Sequence, residues 1–304
     1  MTSRPIAVVL NAGSGAGQAE TAATEIQARC AAAGRDVLIT LATDGAGLGR
    51  AVDAALAAGV TAIVAGGGDG TVNSVAARLI DTTTALGVIP LGTLNHFAKD
   101  LGLPLELGPA IDVVLAGATT AVDVGEVNGR IFLNNSSLGL YPRIVRLRAT
   151  KPAHGLAKWV VATWATLRVL QETPVIGVRI QVDGQPVLRR TTLVFIGNNE
   201  YRMAGLDAGT RESLTNGTLA LYVVRGGGRL TLAQIAWHIL RGKAEAADAL
   251  DILRSTEATI EARGQRMEVA LDGEVTRLAL PLSYRIRPKA LRVLVVDGVG
   301  SSDD

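Results

Sequence analysis

The sequence predicts an α/β protein with an N-terminal three-layer α/β domain built on a parallel sheet. A second, C-terminal domain is predicted to be mainly antiparallel and β-sandwich-like. Three observations support this. Short apolar runs alternate with helical patterns over residues 1–121, which is typical of a parallel sheet covered on both faces. Period-2 alternation and Asn-Gly or Asp-Gly turns follow. With 304 residues, 48% of them hydrophobic, the chain is long enough for two domains.

The first domain is predicted to span residues 1–121. Its strands are predicted at four buried apolar runs, and a helical pattern comes after each of them. Ligands of such sheets bind beyond the carboxyl ends of the strands, where the loops Asn11–Gly17, Gly66–Thr71 and Pro90–Asn95 are expected to gather. The predicted strands are Ile6–Leu10, Val37–Leu41, Thr61–Ala65 and Ala85–Ile89, and the predicted helices are Gln18–Ala33, Gly47–Ala58, Val72–Ile80 and Gly108–Ala116.

The second domain is predicted to span residues 122–288. Turns at Asn128-Gly129 and Asp183-Gly184 predict two hairpins, and helical patterns at Gly155–Gln171 and Leu230–Glu245 interrupt the strands. Residues 289–304 form a C-terminal segment that is compatible with either domain, including a return to the first. The predicted strands are Val122–Val127, Arg130–Asn135, Val175–Val182, Pro186–Ile196, Leu219–Val224, Leu250–Ala262, Gln265–Leu271, Val275–Leu280 and Leu291–Val296.

Composition narrows the function classes. A net charge of +2 gives no electrostatic reason to expect nucleic acid. Cys30 is the single cysteine, which excludes an intrachain disulfide and fits a reducing compartment. The apolar run Ile6–Leu10 is too short for a signal peptide, and no window approaches the ~20 apolar residues of a membrane span. We therefore expect a cytoplasmic protein that is soluble or lies on a membrane surface.

A glycine-rich run, Gly66 to Thr71, follows the apolar stretch Val60–Ala65 and precedes a helical pattern. Glycines at this place let backbone N–H groups approach phosphate oxygens, and the helix N-terminus favours negative charge. The one acid in the run, Asp69, suits a phosphate that arrives with Mg²⁺. The run therefore predicts a phosphate-binding site.

Two other turns fit the same chemistry. Asn11–Gly17 lacks the Lys-Ser/Thr ending of a P-loop, so it is either an ordinary strand-to-helix turn or a second phosphate cradle. In Pro90–Asn95, Gly92 permits close approach, while Thr93 and Asn95 offer polar groups for a phosphate or a ribose. His96, just beyond, is more typical of a helix start than of an acid–base group.

Leu271-Asp272-Gly273-Glu274 leaves two interpretations open. Asp-Gly between two alternating strands is a routine hairpin turn. The second acid favours a catalytic interpretation, because phosphoryl transfer uses a carboxylate that orients or deprotonates the attacking hydroxyl.

Four segments together resemble a family. NAGSGAG, GGGDGTVNSVA, IPLGTLNHFAKDLGLP and LDGE occur in the order and at the spacings of the diacylglycerol kinase catalytic-domain family, which includes bacterial lipid kinases, sphingosine kinases and ceramide kinases. The resemblance covers nearly the whole chain. It implies an ATP-binding α/β domain, a β-rich lipid-substrate domain and a catalytic cleft between them.

The resemblance also implies roles for individual residues, with ATP and Mg²⁺ as cofactors. Asp272 and Glu274 match the acids of the family's late motif, from which its general base comes. The implied nucleotide-binding residues are Asn11, Ser14, Thr43, Gly66, Gly67, Gly68, Asp69, Gly70, Thr71, Gly92 and Thr93.

The chain departs from the family pattern at three places. Ala12 replaces a common proline, and His96 replaces an aspartate. Leu214-Thr215-Asn216-Gly217 falls where many bacterial members place aspartates that hold a structural Mg²⁺. Because Asn216 offers a carbonyl oxygen but no charge, the sequence does not establish a structural metal site.

The acceptor is expected to be a membrane lipid. From Val127 to Gln171 there is no acid, whereas seven Lys and Arg residues and Trp159 and Trp164 occur. This stretch suits an anionic membrane surface, or else a solvated basic face with core tryptophans. We therefore expect peripheral association with the inner face of the membrane, no nucleic acid partner, and sheet edges compatible with a homodimer.

The resulting prediction is an ATP-dependent lipid kinase whose acceptor is a lipid hydroxyl. Diacylglycerol is placed first because it is the common bacterial acceptor in the family, and ceramide or a sphingoid base stays open. Two other hypotheses are a kinase for another acceptor, since NAD kinases and phosphofructokinases also carry GGDG loops, and a non-catalytic nucleotide- or lipid-binding regulator.

Overall fold

The computed structural model describes residues 5–13, 18–140, 142, 175–182, 184–202, 210–211, 213–225 and 250–297. The chain divides into two compact units. The first unit comprises residues 1–123 and 288–304, and the second unit comprises residues 124–287. The predicted helices Gly155–Gln171 and Leu230–Glu245 and nearly all of the basic stretch after residue 140 lie outside the described residues.

The first unit is an α/β unit with a parallel sheet, as the sequence predicted. Its strands β1 to β4 pair in the order β2-β1-β3-β4, and the end of β16 joins β4 in parallel, with Val293 opposite Leu86. The strands are β1 (Ile6–Asn11), β2 (Val37–Ala42), β3 (Ala62–Gly67), β4 (Ala85–Pro90) and β16 (Leu282–Leu294), and the helices are α1 (Gln18–Ala32), α2 (Gly45–Ala57), α3 (Asp69–Leu79), α4 (His96–Asp100) and α5 (Leu107–Ala116).

Helices cover both faces of this sheet. On one face, α1 and α5 pack through Ile26 and Ile111 against the alternating β1 side chains Ile6, Val8 and Leu10. Helices α2 and α3 contact each other, and each also contacts strands of the sheet. Because successive strand side chains point to opposite faces, the buried run of β1 serves both layers. This burial fixes the position of the strand ends.

The second unit contains two antiparallel sheets with a shared apolar core, as expected of a β-sandwich-like domain. One sheet pairs β16, β13, β8 and β9 in that order, and β5 pairs with β16 and β6. The other has the order β12-β11-β10-β7-β14-β15. The strands are β5 (Thr119–Val127), β6 (Arg130–Phe132), β7 (Asn135–Gly139), β8 (Ile176–Val182), β9 (Gln185–Thr191), β10 (Leu193–Asn198), β11 (Leu219–Val224), β12 (Leu250–Ser255), β13 (Glu257–Ala262), β14 (Arg266–Leu271) and β15 (Glu274–Ala279).

Two predicted strands are wrong because each is two strands in different sheets. Pro186–Ile196 divides into β9 and β10, and Leu250–Ala262 divides into β12 and β13. A hydroxyl bridges the bend at each break. Thr191 Oγ1 donates to Leu193 O and accepts from its N–H, and Ser255 Oγ does the same with Glu257. The side chains thus satisfy backbone groups that leave one ladder and enter the other.

The glycine-rich run also differs from the prediction. Gly66 and Gly67 end β3, Gly68 is the N-cap, and Asp69 is already the first residue of α3. A carboxylate in the first turn of a helix is favoured by the helix dipole, which explains the early start. The segment is therefore a one-residue connection rather than a loop.

Among the described residues, no helix has both the length and the apolar character that crossing a membrane would require.

Candidate functional site

The carboxyl ends of β1, β3 and β4 meet in the first unit. Asn11 ends β1, and its Nδ2 donates a 3.0 Å hydrogen bond to Thr71 Oγ1 in the first turn of α3. Asn11 Oδ1 accepts from the Gly13 N–H at 2.9 Å. The amide of Asn11 therefore ties two of the glycine-containing segments together, as the topology predicted.

Gly68 and Gly92 bring the other two strand ends into contact. A Cβ atom on Gly92 would lie 2.4 Å from the Gly68 Cα and 2.8 Å from Asn95 Oδ1. On the outer side, a Cβ on Gly13 would lie 2.9 Å from the carbonyl oxygen of Thr43. Glycine is required at these places because the neighbouring backbone atoms cannot move as a side chain could.

Asp69 and Asn95 order the segment after β4. Asp69 Oδ1 accepts from the Phe97 N–H at 3.3 Å. The Asn95 side chain accepts from the N–H of Gly92 and donates to its carbonyl oxygen, and its backbone is left-handed with φ 50°. Asn95 is thus a loop-closing residue, which the sequence analysis noted only as a polar group.

The structure brings together most of the predicted nucleotide-binding residues. Thr93 and Thr43 are exposed, whereas Thr71 is buried and bonded to Asn11. Ser14 lies outside the described residues. What this arrangement can do is bind an anion, because the N-terminus of α3 favours negative charge and its N-cap, Gly68, has no side chain that would block the approach. The roles of Asn11, Thr43, Gly66, Gly67, Gly68, Asp69, Gly70, Thr71, Gly92 and Thr93 in nucleotide binding stay predictions.

Asp272 lies in the second unit, in a two-residue hairpin turn between β14 and β15. Asp272 and Gly273 have φ 46° and 85°, and Leu271 pairs with Glu274. Two successive positive φ values are typical of the turn that joins tightly twisted strands. The hairpin interpretation is therefore confirmed as local structure. It leaves the catalytic interpretation open, because the side chain of Asp272 is not exposed at the tip.

The carboxylate of Asp272 accepts three backbone hydrogen bonds. Its Oδ2 accepts from Leu133 N–H at 2.7 Å, and its Oδ1 accepts from Asn134 and Asn135 N–H at 2.8 and 3.0 Å. Burial raises the pKa of Asp272 to about 6, while these three bonds and the charge of Arg211 act to lower it. The side chain is thus a fixed carboxylate that can accept a proton near neutral pH.

Three buried polar residues near the contacts of Asp272 were not identified from the sequence. Arg211, Asn134 and Asn198 are buried, and Asn198 Nδ2 donates to Leu133 O at 2.8 Å. The only signal in the sequence is the pair of Asn-Asn dipeptides at 134–135 and 198–199. Glu274, in contrast, is exposed.

Residues 213–217 do not provide an acidic metal site. Thr215 and Asn216 are exposed. Within the described part of the chain, no group of three or more His, Cys, Asp and Glu side chains could hold a metal ion.

Two family models match the chain. The diacylglycerol kinase catalytic domain matches residues 5–127, and the YegS C-terminal NAD kinase beta sandwich-like domain matches residues 146–295. Together they extend over both units.

Individual relatives agree with these matches. A diacylglycerol kinase of Mycobacterium tuberculosis is 29% identical over 298 residues, covering 95% of this chain and 94% of that protein. A diacylglycerol kinase of Staphylococcus haemolyticus is 30% identical over 218 residues, covering 67% of this chain and 64% of that protein. The crystal structure of a diacylglycerol kinase from Bacillus anthracis has the same fold, with a TM-score of 0.72, 22% identity and coverage of 97% and 98% of the two chains.

The contact at Gly92 predicts that alanine substitutions at two glycines will differ in their effect on stability. Gly92→Ala places a Cβ against the Gly68 backbone, so we expect the free energy of unfolding to fall by about 1–3 kcal/mol. The control Gly45→Ala, at the first residue of α2, meets no atom within 4 Å and should be neutral or stabilising by up to ~1 kcal/mol. Urea unfolding followed by circular dichroism measures both. Equal stabilities would contradict the close approach.

The pKa of Asp272 predicts a pH-dependent stability. Its folded value of about 6 lies above its ordinary value of 3.8, so the folded chain binds the proton more tightly than the unfolded chain. The contribution of Asp272 to the free energy of unfolding should therefore fall as pH rises from about 4 to about 6, by on the order of 2–3 kcal/mol. Asp272→Asn should remove this decline in urea unfolding experiments.

Asp251→Asn is a control for which the pH dependence of stability has the opposite sign. Burial acts to raise the pKa of Asp251, but hydrogen bonds from Arg189 and Arg225 lower it overall. This carboxylate gives the wild type stability that is present at neutral pH and is lost as pH falls. A pH profile of Asp272→Asn that runs parallel to that of the wild type would show that the pKa of Asp272 is not raised.

Proposed function

This chain belongs to the diacylglycerol kinase catalytic-domain family of lipid kinases, and from that membership we propose that it transfers the γ-phosphoryl group of Mg-ATP to the free hydroxyl of diacylglycerol. The enzyme is a phosphotransferase with an alcohol acceptor. The observation that carries the proposal is the meeting of the β1, β3 and β4 ends at Asn11, Gly68 and Gly92, since glycines at this place let a phosphate come close to the N-terminus of α3.

The donor is bound by the first unit in this proposal. Backbone N–H groups near Gly68 and the start of α3 hold the phosphates, with the polar groups of Thr43 and Thr93 at the edge. Asp69 uses one carboxylate oxygen for the Phe97 N–H, which leaves the other for the Mg²⁺ that accompanies ATP. Bound Mg²⁺ supplies charge neutralisation at the transferring phosphoryl group.

The general base is Asp272 in this proposal. An ionised carboxylate offers about four lone-pair sites, and backbone N–H groups occupy three of them. The remaining site can accept the proton of the lipid hydroxyl while that oxygen attacks the γ-phosphorus, with ADP as the leaving group. A pKa of about 6 leaves the group ionised at pH 7 and still a useful base. Glu274, which is exposed, takes a supporting electrostatic role.

Membrane contact is the second part of the proposal, and one sheet face of the second unit supports it. Arg179 on β8 and Arg190 on β9 are exposed. Leu188, which is opposite Arg179 in the β8–β9 register, is 72% exposed. Basic side chains around an exposed leucine suit an anionic lipid surface, so we propose peripheral membrane association through this face.

The test is a phosphorylation assay with radiolabelled ATP against purified lipids. Diacylglycerol, ceramide and a sphingoid base are each presented in vesicles with and without phosphatidylglycerol, and ADP release is measured with and without lipid. We expect transfer to diacylglycerol and faster transfer on anionic vesicles. Transfer only to ceramide or to the sphingoid base would correct the acceptor. ATP binding without any lipid-stimulated ADP release would contradict the proposed kinase activity toward these lipids.

Removal of the base predicts a large kinetic effect. Asp272→Asn should lower kcat by about 10²–10⁴-fold, with the ATP dissociation constant near that of the wild type. Glu274→Gln should lower kcat less, because its side chain is not held in place. Steady-state kinetics together with calorimetric ATP titration separate the two effects. Unchanged turnover in both variants would remove the hairpin from the mechanism.

Substitutions of Asp69 can separate its structural hydrogen bond to Phe97 from its proposed role in Mg²⁺ binding. Asp69→Asn keeps an oxygen for the Phe97 N–H but loses the charge, whereas Asp69→Ala loses both. We expect the Asp69→Asn protein to melt near the wild-type temperature and to lose about 10²-fold in rate at roughly 1–5 mM Mg²⁺, with partial recovery at higher Mg²⁺. The Asp69→Ala substitution should lower both stability and rate. Full activity of either variant at ordinary Mg²⁺ would exclude this role.

A further inference from the structure

Arg211 is a buried arginine of the second unit that contacts backbone and amide oxygens. Its Nη1 donates to the carbonyl oxygens of Leu133 at 2.6 Å and Asn198 at 3.2 Å, and its Nη2 donates to Asn134 Oδ1 at 2.9 Å. Burial of a guanidinium costs free energy unless its donors are satisfied. These hydrogen bonds offset part of the free-energy cost of burying the charge.

The segment that Arg211 holds is the one that binds Asp272. The Leu133 carbonyl and the Asn134 N–H belong to the same peptide group. Arg211 Nη1 donates to the oxygen of that group at 2.6 Å, and the N–H of the group donates to Asp272 Oδ1 at 2.8 Å. One peptide plane therefore connects the guanidinium to the carboxylate. A positive group on the carbonyl oxygen polarises the peptide and strengthens its N–H as a donor.

We propose that Arg211 is a positioning residue that orients the Asp272 carboxylate and stabilises its negative charge through the Leu133–Asn134 peptide group. The inference rests on the proposed function, since it assigns Arg211 a part in the same phosphoryl transfer. Arginine suits this part because its charge is constant over the working pH range and its fork can bind several oxygens at once.

The electrostatics agree with this geometry. Burial acts to raise the pKa of Asp272, and Arg211 is the charged side chain that acts to lower it, together with the N–H groups of Leu133, Asn134 and Asn135. The next acid along the chain, Glu274 on β15, is exposed. Loss of the Arg211 charge should therefore leave Asp272 protonated at a pH where the wild type is ionised.

Two substitutions separate the two parts of the proposed role of Arg211, which are its charge and its orienting hydrogen bonds. Arg211→Gln keeps a hydrogen-bond donor and loses the charge, and Arg211→Lys keeps the charge and loses the fork. The readout is the pH dependence of kcat/KM for lipid between about pH 5 and 9. For Arg211→Gln we expect the acid limb to move up by about 0.5–1 unit. For Arg211→Lys we expect an acid limb near that of the wild type and a kcat about tenfold lower.

The matched control is Arg277→Met on the β14–β15 hairpin. Arg277 pairs with Glu268 and is 69% exposed, so its loss removes a positive charge from the same hairpin without touching the Leu133–Asn134 peptide. Its pH profile should overlay that of the wild type, because solvent screens an exposed charge.

A merely structural arginine would lower activity and melting temperature and leave the acid limb in place. A folded Arg211→Gln protein with an unmoved acid limb would therefore overturn the inference. If Arg211→Gln does not fold, Arg211→Lys decides, since a kcat equal to that of the wild type would exclude an orienting role.

A second readout separates this inference from the proposed function. If the wild type phosphorylates none of the lipids, the proposed function fails, but the link between Arg211 and Asp272 can still be measured. The pH-dependent part of the unfolding free energy that Asp272→Asn removes should extend to higher pH in Arg211→Gln than in the wild type, because only the folded-state pKa of Asp272 rises. An unchanged pH range would overturn the inference without any reference to activity.

Discussion

The close approach of Gly68 and Gly92 is the constraint on which the candidate donor site depends. A Cβ on Gly92 would overlap the Gly68 backbone, so the segments after β3 and β4 can approach this closely only because Gly92 lacks a side chain. The Asn11–Thr71 and Asp69–Phe97 hydrogen bonds join the same segments. The glycine contact and these hydrogen bonds depend on the parallel sheet, because the buried strands β1 and β3 hold the strand ends in register. The site is therefore a product of backbone packing more than of any one polar side chain.

In the second unit, opposing effects act on the charge of the Asp272 carboxylate. Burial opposes the charge of Asp272, whereas three N–H groups and Arg211 favour it, and the net result is a pKa of about 6. A carboxylate held by as many N–H groups in water-exposed surroundings would be a weaker base. A carboxylate that was buried without them would be neutral at neutral pH. The hydrogen bonds therefore give the side chain a fixed direction, and the burial gives it basicity, which are the two properties that a general base needs.

Most secondary structure was predictable because it follows from local pattern. Strands β1 to β4 were predicted to within about two residues at each end, which is the usual uncertainty of a strand boundary, and the Asn128-Gly129 hairpin forms with two positive φ values. The strand prediction failed where one continuous run of strand-like sequence forms strands in two different sheets. At Thr191 and Ser255 the alternation continues through the bend, and a hydroxyl bridge to the backbone replaces the Gly or Pro signal that usually marks a break.

The sequence by itself determined the α/β class, the order of the elements and the glycine and acid motifs, because periodicity and turn chemistry act over a few residues. It also placed Asp272 in a turn. Only the tertiary structure decided that the carboxylate of this turn binds the amides of residues 133–135 and that Arg211 contacts the same peptide. Those contacts join residues 138 and 78 positions apart in the chain. No local pattern encodes such pairs, since they arise from how the strands of the second unit pair and pack.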